Sequence, residues 1–347
     1  MSYTGINKSS NFMNTKLYTG NGSNGHAITG VEFQPDWTWI KARGGTQFHN
    51  LVDSVRGPTK ILYSNNTEVE TTDTSRFTSF DTDGFTLAND ADVNGNSATF
   101  ASWNWKAGTT GSGNTTGSGT YKAYSYSVNT TSGFSIVKYK GNGTSGHQIP
   151  HHLGVSPSMT IIKKTSGAEN WIVQNAHRGW DKRLILDVTN AEASHTDFVS
   201  GVSSTTFSLY TNGSVNTNDA DYIAYVFAEK IGYSKINSYL GNGNSGVNGP
   251  FINIGFKPAF VMIKQATGTG NWGIIDNKRP GYNQSDKVLK PNTNEVEATG
   301  WGYHDLLSNG FKMTGNDVAM NANGQTYIYM AFGQSIVGTN NIPATAR

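Results

Sequence analysis

The stretch Phe134-Ser135-Ile136-Val137-Lys138-Tyr139-Lys140-Gly141-Asn142-Gly143-Thr144 is a run of β-branched and aromatic residues that ends in an Asn-Gly turn. It occurs three times: an earlier copy ends in Leu17-Tyr18-Thr19-Gly20-Asn21-Gly22-Ser23, and a later one in Ser238-Tyr239-Leu240-Gly241-Asn242-Gly243-Asn244. A tyrosine lies two residues before each Gly-Asn-Gly. Because an internal repeat decides how the rest of a chain is divided, this motif is the starting point for the fold.

The three copies also share the same residue spacing after the turn. In each copy a lysine comes six residues after a proline, and an arginine comes fifteen residues after the lysine. These constant intervals predict three tandem repeats. The lysines fall at the ends of predicted strands, where a solvated cation that limits edge pairing is the expected role. The lysines are Lys41, Lys163 and Lys264, and the arginines are Arg56, Arg178 and Arg279.

Within each repeat, short segments rich in aromatic and β-branched residues alternate with Gly, Asn, Asp and Pro, which is typical of strands joined by turns. No window of eleven or more residues has a convincing helical period. Seven or eight strands in ~100 residues predict an all-β protein of three tandem antiparallel β-sandwich repeats. The predicted division is an N-terminal arm (1–13), repeat 1 (14–108), a flexible Gly/Ser/Thr linker (109–120), repeat 2 (121–231), repeat 3 (232–335) and a C-terminal tail (336–347). Repeats 2 and 3 are expected to dock rigidly, and repeat 1 to move.

The composition excludes several classes of protein. The 347 residues carry a formal net charge of +2, and their 26 Lys and Arg form nothing longer than adjacent pairs, which argues against a nucleic-acid partner. The absence of cysteine removes disulfides, thiolate metal sites and cysteine nucleophiles, and it suits folding in a reducing cytoplasm. No segment approaches the ~18 apolar residues of a membrane span, so no membrane insertion is expected.

Two acidic pairs raise the question of catalysis: Glu68-Val69-Glu70 in repeat 1 and Glu295-Val296-Glu297 in repeat 3. Glutamates at i and i+2 of a strand share a face, which is how sandwich-fold glycosidases place a nucleophile and an acid about 5–5.5 Å apart. However, both pairs lie in Asn/Thr-rich stretches, and repeat 2 keeps only Glu192. We therefore interpret them as solvated loop edges and expect no enzymatic activity. A glycan-cleaving depolymerase of the sandwich-glucanase type is the alternative.

Loops rich in Asn and Asp precede the last strand of each repeat. Asp90-Ala91-Asp92-Val93-Asn94-Gly95 matches the start of a calcium loop, but Ala101 stands where the loop's bidentate glutamate belongs. Turn formation alone would also explain this composition. Trp180 lies in a turn from which it could stack on a sugar or a partner. The candidate binding residues are Asp90, Asp92, Asn94, Trp180, Asp219 and Asp317, with Ca²⁺ as a candidate ion.

Four segments are distinctive as a set: Tyr3-Thr4-Gly5-Ile6-Asn7-Lys8, the run 129–137, the segment 146–157 and the closing 341–347. Together they resemble a family of virion structural proteins from tailed phages of marine bacteria. The resemblance covers nearly the whole chain and implies a lectin-like, concanavalin-type jelly-roll sandwich. One departure is His151-His152 in place of a single His followed by Gly. These two histidines and His147 are expected on the surface rather than in a metal site.

The resemblance and the composition lead to one functional hypothesis. The protein is expected to be a non-enzymatic virion protein, folded in the host cytoplasm and exposed on the particle as a tail or head fibre or as capsid decoration. Its partners would be other virion proteins and further copies of itself, for example in a trimer. Its near-neutral surface would suit weak, multivalent binding of host surface glycans during attachment. The arm or the tail would hold it to its neighbours.

Overall fold

The computed structural model describes residues 5–280 and 282–335. Residues 1–4 of the predicted arm and the whole predicted tail lie outside the described residues. In the described part, the prediction of an all-β protein is confirmed, because every strand pair is antiparallel and the helices are single turns.

The first group of strands is called unit 1. Its elements are η1 (Ser9–Asn11), β1 (Met13–Thr19), β2 (His26–Thr29), β3 (Trp37–Ala42), β4 (Asn50–Asp53), β5 (Lys60–Tyr63), β6 (Thr71–Thr72), β7 (Phe77–Asp81), β8 (Gly84–Leu87), α1 (Ala91–Asn94) and β9 (Thr99–Trp105). Its large sheet has the order β1-β9-β3-β4-β5-β6, and its small sheet the order β2-β8-β7.

The second group, unit 2, has three additional strands at its start. Its elements are β10 (Thr109–Asn114), β11 (Thr116–Gly117), β12 (Ala123–Asn129), β13 (Phe134–Lys140), β14 (His147–Pro150), β15 (Met159–Lys164), β16 (Ile172–Asn175), β17 (Lys182–Ile185), β18 (Ala193–Ser194), β19 (Val199–Val202), β20 (Thr206–Leu209), α2 (Gly213–Asn216) and β21 (Asp221–Phe227). The large sheet has the order β10-β12-β13-β21-β15-β16-β17-β18, and the small sheet β11-β14-β20-β19.

The third group, unit 3, follows after a short turn. Its elements are β22 (Ser234–Leu240), η2 (Gly246–Asn248), β23 (Phe251–Asn253), β24 (Lys257–Gln265), β25 (Gly273–Asp276), β26 (His304–Leu307), β27 (Gly310–Met313), α3 (Val318–Asn321) and β28 (Thr326–Gln334). Its sheets have the orders β22-β28-β24-β25 and β23-β27-β26. In all three units the strand after the Gly-Asn-Gly turn therefore enters the small sheet, and the last strand lies inside the large sheet.

Each unit has its own apolar core between its two sheets. In unit 1, Ile40 of β3 and Phe100 of β9 pack against Ile28 and Phe85 of the small sheet. Units 2 and 3 have equivalent clusters, which contain Phe207 and Phe311. The alternation of side chains along each strand explains this arrangement, since one face of the large sheet turns towards the small sheet.

The other face of each large sheet packs into a fourth cluster, the central core, to which all three units contribute. Trp37 of unit 1 stacks on Tyr225 of unit 2 with ring centroids 4.2 Å apart. Trp105 of unit 1 meets Phe260 of unit 3 edge-on at 5.3 Å. The central strand β3 is consequently buried at all six positions. Unit 1 is therefore packed into the same core as the other two, contrary to the prediction that it would move separately.

The Gly/Ser/Thr segment 109–120 also differs from its prediction as a flexible linker. Residues 109–114 form β10, which pairs with β12, and Thr116 and Gly117 pair with β14. The composition is typical of a linker, but the backbone donors and acceptors of this segment are used by two sheet edges. In the same way, part of the predicted arm packs on the chain itself, because Ser9 donates its backbone N–H to Gln334 Oε1 at 2.6 Å.

Candidate functional site

The Gly-Asn-Gly turns and the Asn/Asp-rich loops form one structural motif in each unit. Asn216 lies fully buried in α2, and its Oδ1 accepts the backbone N–H of Asn142 at 2.9 Å. Its Nδ2 donates to the carbonyls of Thr144 and Tyr210. Asn94 and Asn321 make the matching bonds to the backbone of Asn21 and Asn242. The candidate residue Asn94 is thus bound internally, where it fixes the turn.

The geometry of the turn also explains why the first residue of each Gly-Asn-Gly motif is glycine. A Cβ on Gly20, Gly141 or Gly241 would lie 2.3 Å from a carbonyl oxygen of the loop that carries the buried Asn. Only glycine permits this approach of two backbones. The motif that is most regular in the sequence therefore has a structural role in all three units.

The acidic residues of the calcium-like loop are neutralised by an arginine. Arg76 contacts Asp73 at 2.9 Å, Asp90 at 3.5 Å and Asp92 at 2.9 Å. Asp90 in addition caps α1 by accepting the backbone N–H of Asp92. A guanidinium group thus provides the positive charge that a calcium ion would supply. Within residues 5–280 and 282–335, no group of three or more His, Cys, Asp or Glu is placed to hold a metal ion.

The remaining candidate binding residues lie apart from that loop. Trp180 is half-buried against the core of unit 2. Asp219 is exposed and pairs with Lys122 at 2.5 Å. Asp317 caps α3 in unit 3, accepting from the backbone N–H of Ala319. The structure thus distributes the six residues over three units and does not combine them into one site.

The glutamates considered for catalysis form ion pairs between and within the units. Glu297 receives a bidentate contact from Arg43 of unit 1, at 2.8 and 3.0 Å, and a further one from Arg279 at 3.3 Å. Glu192 is bound in the same bidentate way by Arg178. Glu70 contacts Arg56 at 3.3 Å. The prediction that Glu70 and Glu297 are solvated is wrong, since their side chains are only 17% and 9% exposed.

The backbones of the same three glutamates link the units in a closed ring. The N–H of Glu70 donates to Thr165 of unit 2, that of Glu192 to Ala266 of unit 3, and that of Glu297 to Arg43 of unit 1. The donor–acceptor distances are 3.1, 2.7 and 2.7 Å. Each acceptor lies two residues after the recurring lysine of its unit. We call this set of contacts the glutamate ring.

A second set of contacts links the same pairs of units in the opposite direction. The indole N–H of Trp171 donates to the carbonyl of Tyr63, and that of Trp272 donates to the carbonyl of Ile185. In unit 1 a histidine takes the place of the indole, because His49 Nε2 lies 3.0 Å from the carbonyl of Lys290. Every unit therefore reaches one neighbour with a ring nitrogen and the other with a glutamate.

The recurring lysines are buried, contrary to the prediction that they are solvated. Lys41, Lys163 and Lys264 are all 0% exposed. Lys163 Nζ donates to the carbonyls of Thr67 and Glu169, and Lys264 Nζ to those of Thr189 and Gln265. Burial lowers the pKa of each of the three lysines to about 8. Lys163 and Lys264 thereby join their units to the preceding ones.

The three histidines of unit 2 are also not simple surface residues. His147 and His151 are fully buried. His152 is half-buried at the rim of an open groove of about 880 Å³ on the small sheet. Its ring stacks on Tyr126 at 3.7 Å, and its Nε2 lies 2.9 Å from the hydroxyl of Tyr124. Sequence reasoning missed this groove, and the doubled histidine was the only signal of it.

Comparison with known protein families identifies a family for this chain. A family model described as Domain of unknown function (DUF7483) matches residues 8–335. No curated protein and no solved structure matches the chain. In the part of the chain that the structure describes, no helix is long and apolar enough to cross a membrane.

Proposed function

The chain belongs to the family described as Domain of unknown function (DUF7483). We propose that it is a non-enzymatic structural protein of a bacteriophage virion, exposed on the particle surface. The position on the particle is that of a tail or head fibre or of capsid decoration. The protein folds in the host cytoplasm and is then incorporated with other virion proteins. The sequence resemblance described above supports this assignment.

The observation that carries the non-enzymatic part is the glutamate ring. A glycoside hydrolase needs two carboxyl groups that converge on a substrate groove. Here Glu70, Glu192 and Glu297 are each held by an arginine and lie at unit interfaces. Their backbones close the ring as well. Carboxylates used in this way favour a structural protein over a depolymerase.

We extend the proposal to the finer fold and to the assembly. The three units are tandem lectin-like sandwiches of the concanavalin jelly-roll type, which their shared strand order supports. One chain already arranges three sandwiches around a common core, so a threefold set of binding faces does not require three chains. Weak glycan contacts on such units, multiplied over many copies on a particle, would retain the particle on a host surface.

The proposal is tested on purified virions. Gradient-purified particles are analysed by mass spectrometry, and intact particles are labelled with gold-conjugated antibodies raised against the folded protein. We expect the protein in stoichiometric amounts and antibody labels on the particle surface. A protein that stays in the soluble fraction of infected cells and does not sediment with particles would refute a virion role.

The enzymatic alternative has its own assay. Purified protein is incubated with capsular and exopolysaccharides of the host, and new reducing ends are counted. We expect no release above the buffer blank. Release that disappears in Glu70→Gln, while the protein stays folded by circular dichroism, would favour the depolymerase.

A further inference from the structure

The groove on unit 2 lies across the outward face of the small sheet β11-β14-β20-β19. The inward side chains of these strands, among them Ile149 and Phe207, fill the core of the unit. The outward ones, such as Gln148, Ser200 and Ser208, line the groove. The extra strands of unit 2 contribute to its shape, since Thr116 of β11 lies on its wall.

The chemistry of the lining is unusual for this protein. Seven of the thirteen lining residues carry a hydroxyl group, and none of these described residues is Asp, Glu, Lys or Arg. Elsewhere on the described surface, lysines and carboxylates pair repeatedly, as in Lys140–Asp221 and Lys290–Glu295. Hydroxyl and amide groups can both donate and accept hydrogen bonds, so this lining can pair with a ligand group that is a donor and with one that is an acceptor.

His152 gives the groove a strained aromatic edge. Its φ of +58° is a left-handed conformation that non-glycine residues rarely adopt. The ring is held by its stack on Tyr126 and by the Tyr124 hydroxyl. Burial lowers the pKa of His152, which favours the neutral form of the ring. A side chain kept in an unfavourable backbone conformation at the rim of a groove is a reason to look for a function there.

Two glycines leave the groove open. A Cβ built on Gly201 or on Gly154 meets no atom of the described residues within 4 Å. Gly201 lies in β19 with an ordinary φ, so a larger side chain there would project into free space without backbone strain. A single substitution at Gly201 can thus obstruct part of the groove without straining the backbone.

We propose that this groove binds a neutral oligosaccharide, in an extended stretch across the hydroxyl-lined sheet with one sugar ring against His152. The inference rests on the proposed function and specifies its ligand site, which is a sheet face and not the loop ends around Asp90 and Trp180. Phosphate or sulfate groups would need arginine or lysine, which the lining lacks. Among the lining residues, only Pro150 and Val202 have aliphatic side chains without a polar group. A neutral oligosaccharide is rich in hydroxyl groups and carries no charge, so it matches the lining of the groove in hydrogen bonding and in charge.

The test compares two matched substitutions on the purified full chain. Gly201→Leu places a bulky side chain in the groove, where it would block a ligand that lies across β19. Gly44→Leu places the same side chain in a loop of unit 1, where a Cβ also has no atom of residues 5–280 and 282–335 within 4 Å. Native electrophoresis is run through gels that contain dextran, amylopectin, galactomannan or laminarin, with dextran sulfate and polygalacturonate as anionic probes. At least one neutral polysaccharide should retard the wild type and Gly44→Leu, and the apparent affinity of Gly201→Leu should fall at least tenfold.

A third variant separates function from packing. His152→Gly removes the ring and relaxes the backbone, so we expect weaker binding while the thermal midpoint stays within a few degrees of the wild type. A lower midpoint with unchanged binding would mean that His152 serves packing alone, and it would overturn its role in the groove.

Three results would overturn the proposal: no retardation by any neutral polysaccharide, retardation only by the anionic probes, or full retardation of Gly201→Leu. Each of these leaves the virion assignment standing if particles carry the protein. Conversely, groove binding by a protein that is absent from particles would refute the virion assignment alone.

Discussion

Trp37→Ala is the most informative perturbation of the fold, because Trp37 joins two units in the central core. It is 0% exposed and stacks on Trp105 of its own unit at 4.5 Å and on Tyr225 of unit 2 at 4.2 Å. Its Nε1 has no hydrogen-bond partner among the described residues, so the substitution leaves no orphaned acceptor behind. The cost is therefore one of packing.

Truncation of a buried tryptophan costs about 3–5 kcal/mol. We expect the upper half of that range, since two sheets border the cavity and neither can close it without moving a whole unit. A protein of this size has a urea m-value of ~3 kcal/mol/M or more, so the unfolding midpoint should fall by roughly 1 M. Trp180→Ala is the control, because Trp180 is half-buried on unit 2 alone. Its midpoint should move far less.

Urea unfolding is followed by circular dichroism, and hydrogen exchange is read from peptides of each unit. If the central core couples the units, Trp37→Ala should lower protection in β27 and β28 of unit 3 together with unit 1. A biphasic transition, in which unit 1 exchanges while unit 3 keeps wild-type protection, would refute the shared core.

Three further predictions follow from the interfaces. The free energy of unfolding should rise between about pH 8 and pH 10, because lysines with pKa values lowered to about 8 bind fewer protons in the folded than in the unfolded chain. The check is the thermal midpoint across this range. It should rise less steeply in Lys163→Met than in Lys278→Met, the control at an exposed lysine. Glu192→Gln should cost about 1–3 kcal/mol in urea titrations, since it weakens a partly buried bidentate pair, whereas the exposed Glu68→Gln should cost less than about 0.5 kcal/mol. Asn216→Ala should cost about 2–4 kcal/mol, because it leaves the backbone N–H of Asn142 and the Tyr210 carbonyl unpaired, while Asn218→Ala on the exposed neighbouring loop should be close to neutral.

The sequence predicted the strand content and the recurring turn because both depend on local residue patterns. Tyr139 and the Gly-Asn-Gly that follows it end one strand in the way the motif indicated. The alternation of side chains along β3 could not show what covers its second face. The sequence pattern around Trp37 and Trp39 is the same whether a loop or another unit packs on them. The central core was therefore not predictable from one strand at a time.

The lysines were misinterpreted for a related reason. A lone Lys with no acidic residue nearby in sequence is usually solvated, and Lys163 has none within four residues. Its partner Thr67 lies 96 positions earlier, and it is a carbonyl, which every residue has. Likewise, the binding loops were predicted from composition, but the side chain of Asn94 points inward, where its amide makes hydrogen bonds to five backbone and side-chain groups.

The glutamate ring has a consequence for connectivity. Its third contact, Glu297 to Arg43, joins unit 3 to unit 1 without a peptide link. The side chain of Gln334 also donates to the carbonyl of Asn7. A circularly permuted gene could therefore join residue 335 to residue 5 through a few glycines and open the chain at the exposed Ile231. Unit 3 would then come first, and each of the three unit–unit contacts would still form. In this fold, the order of the units along the chain is separable from their order in space.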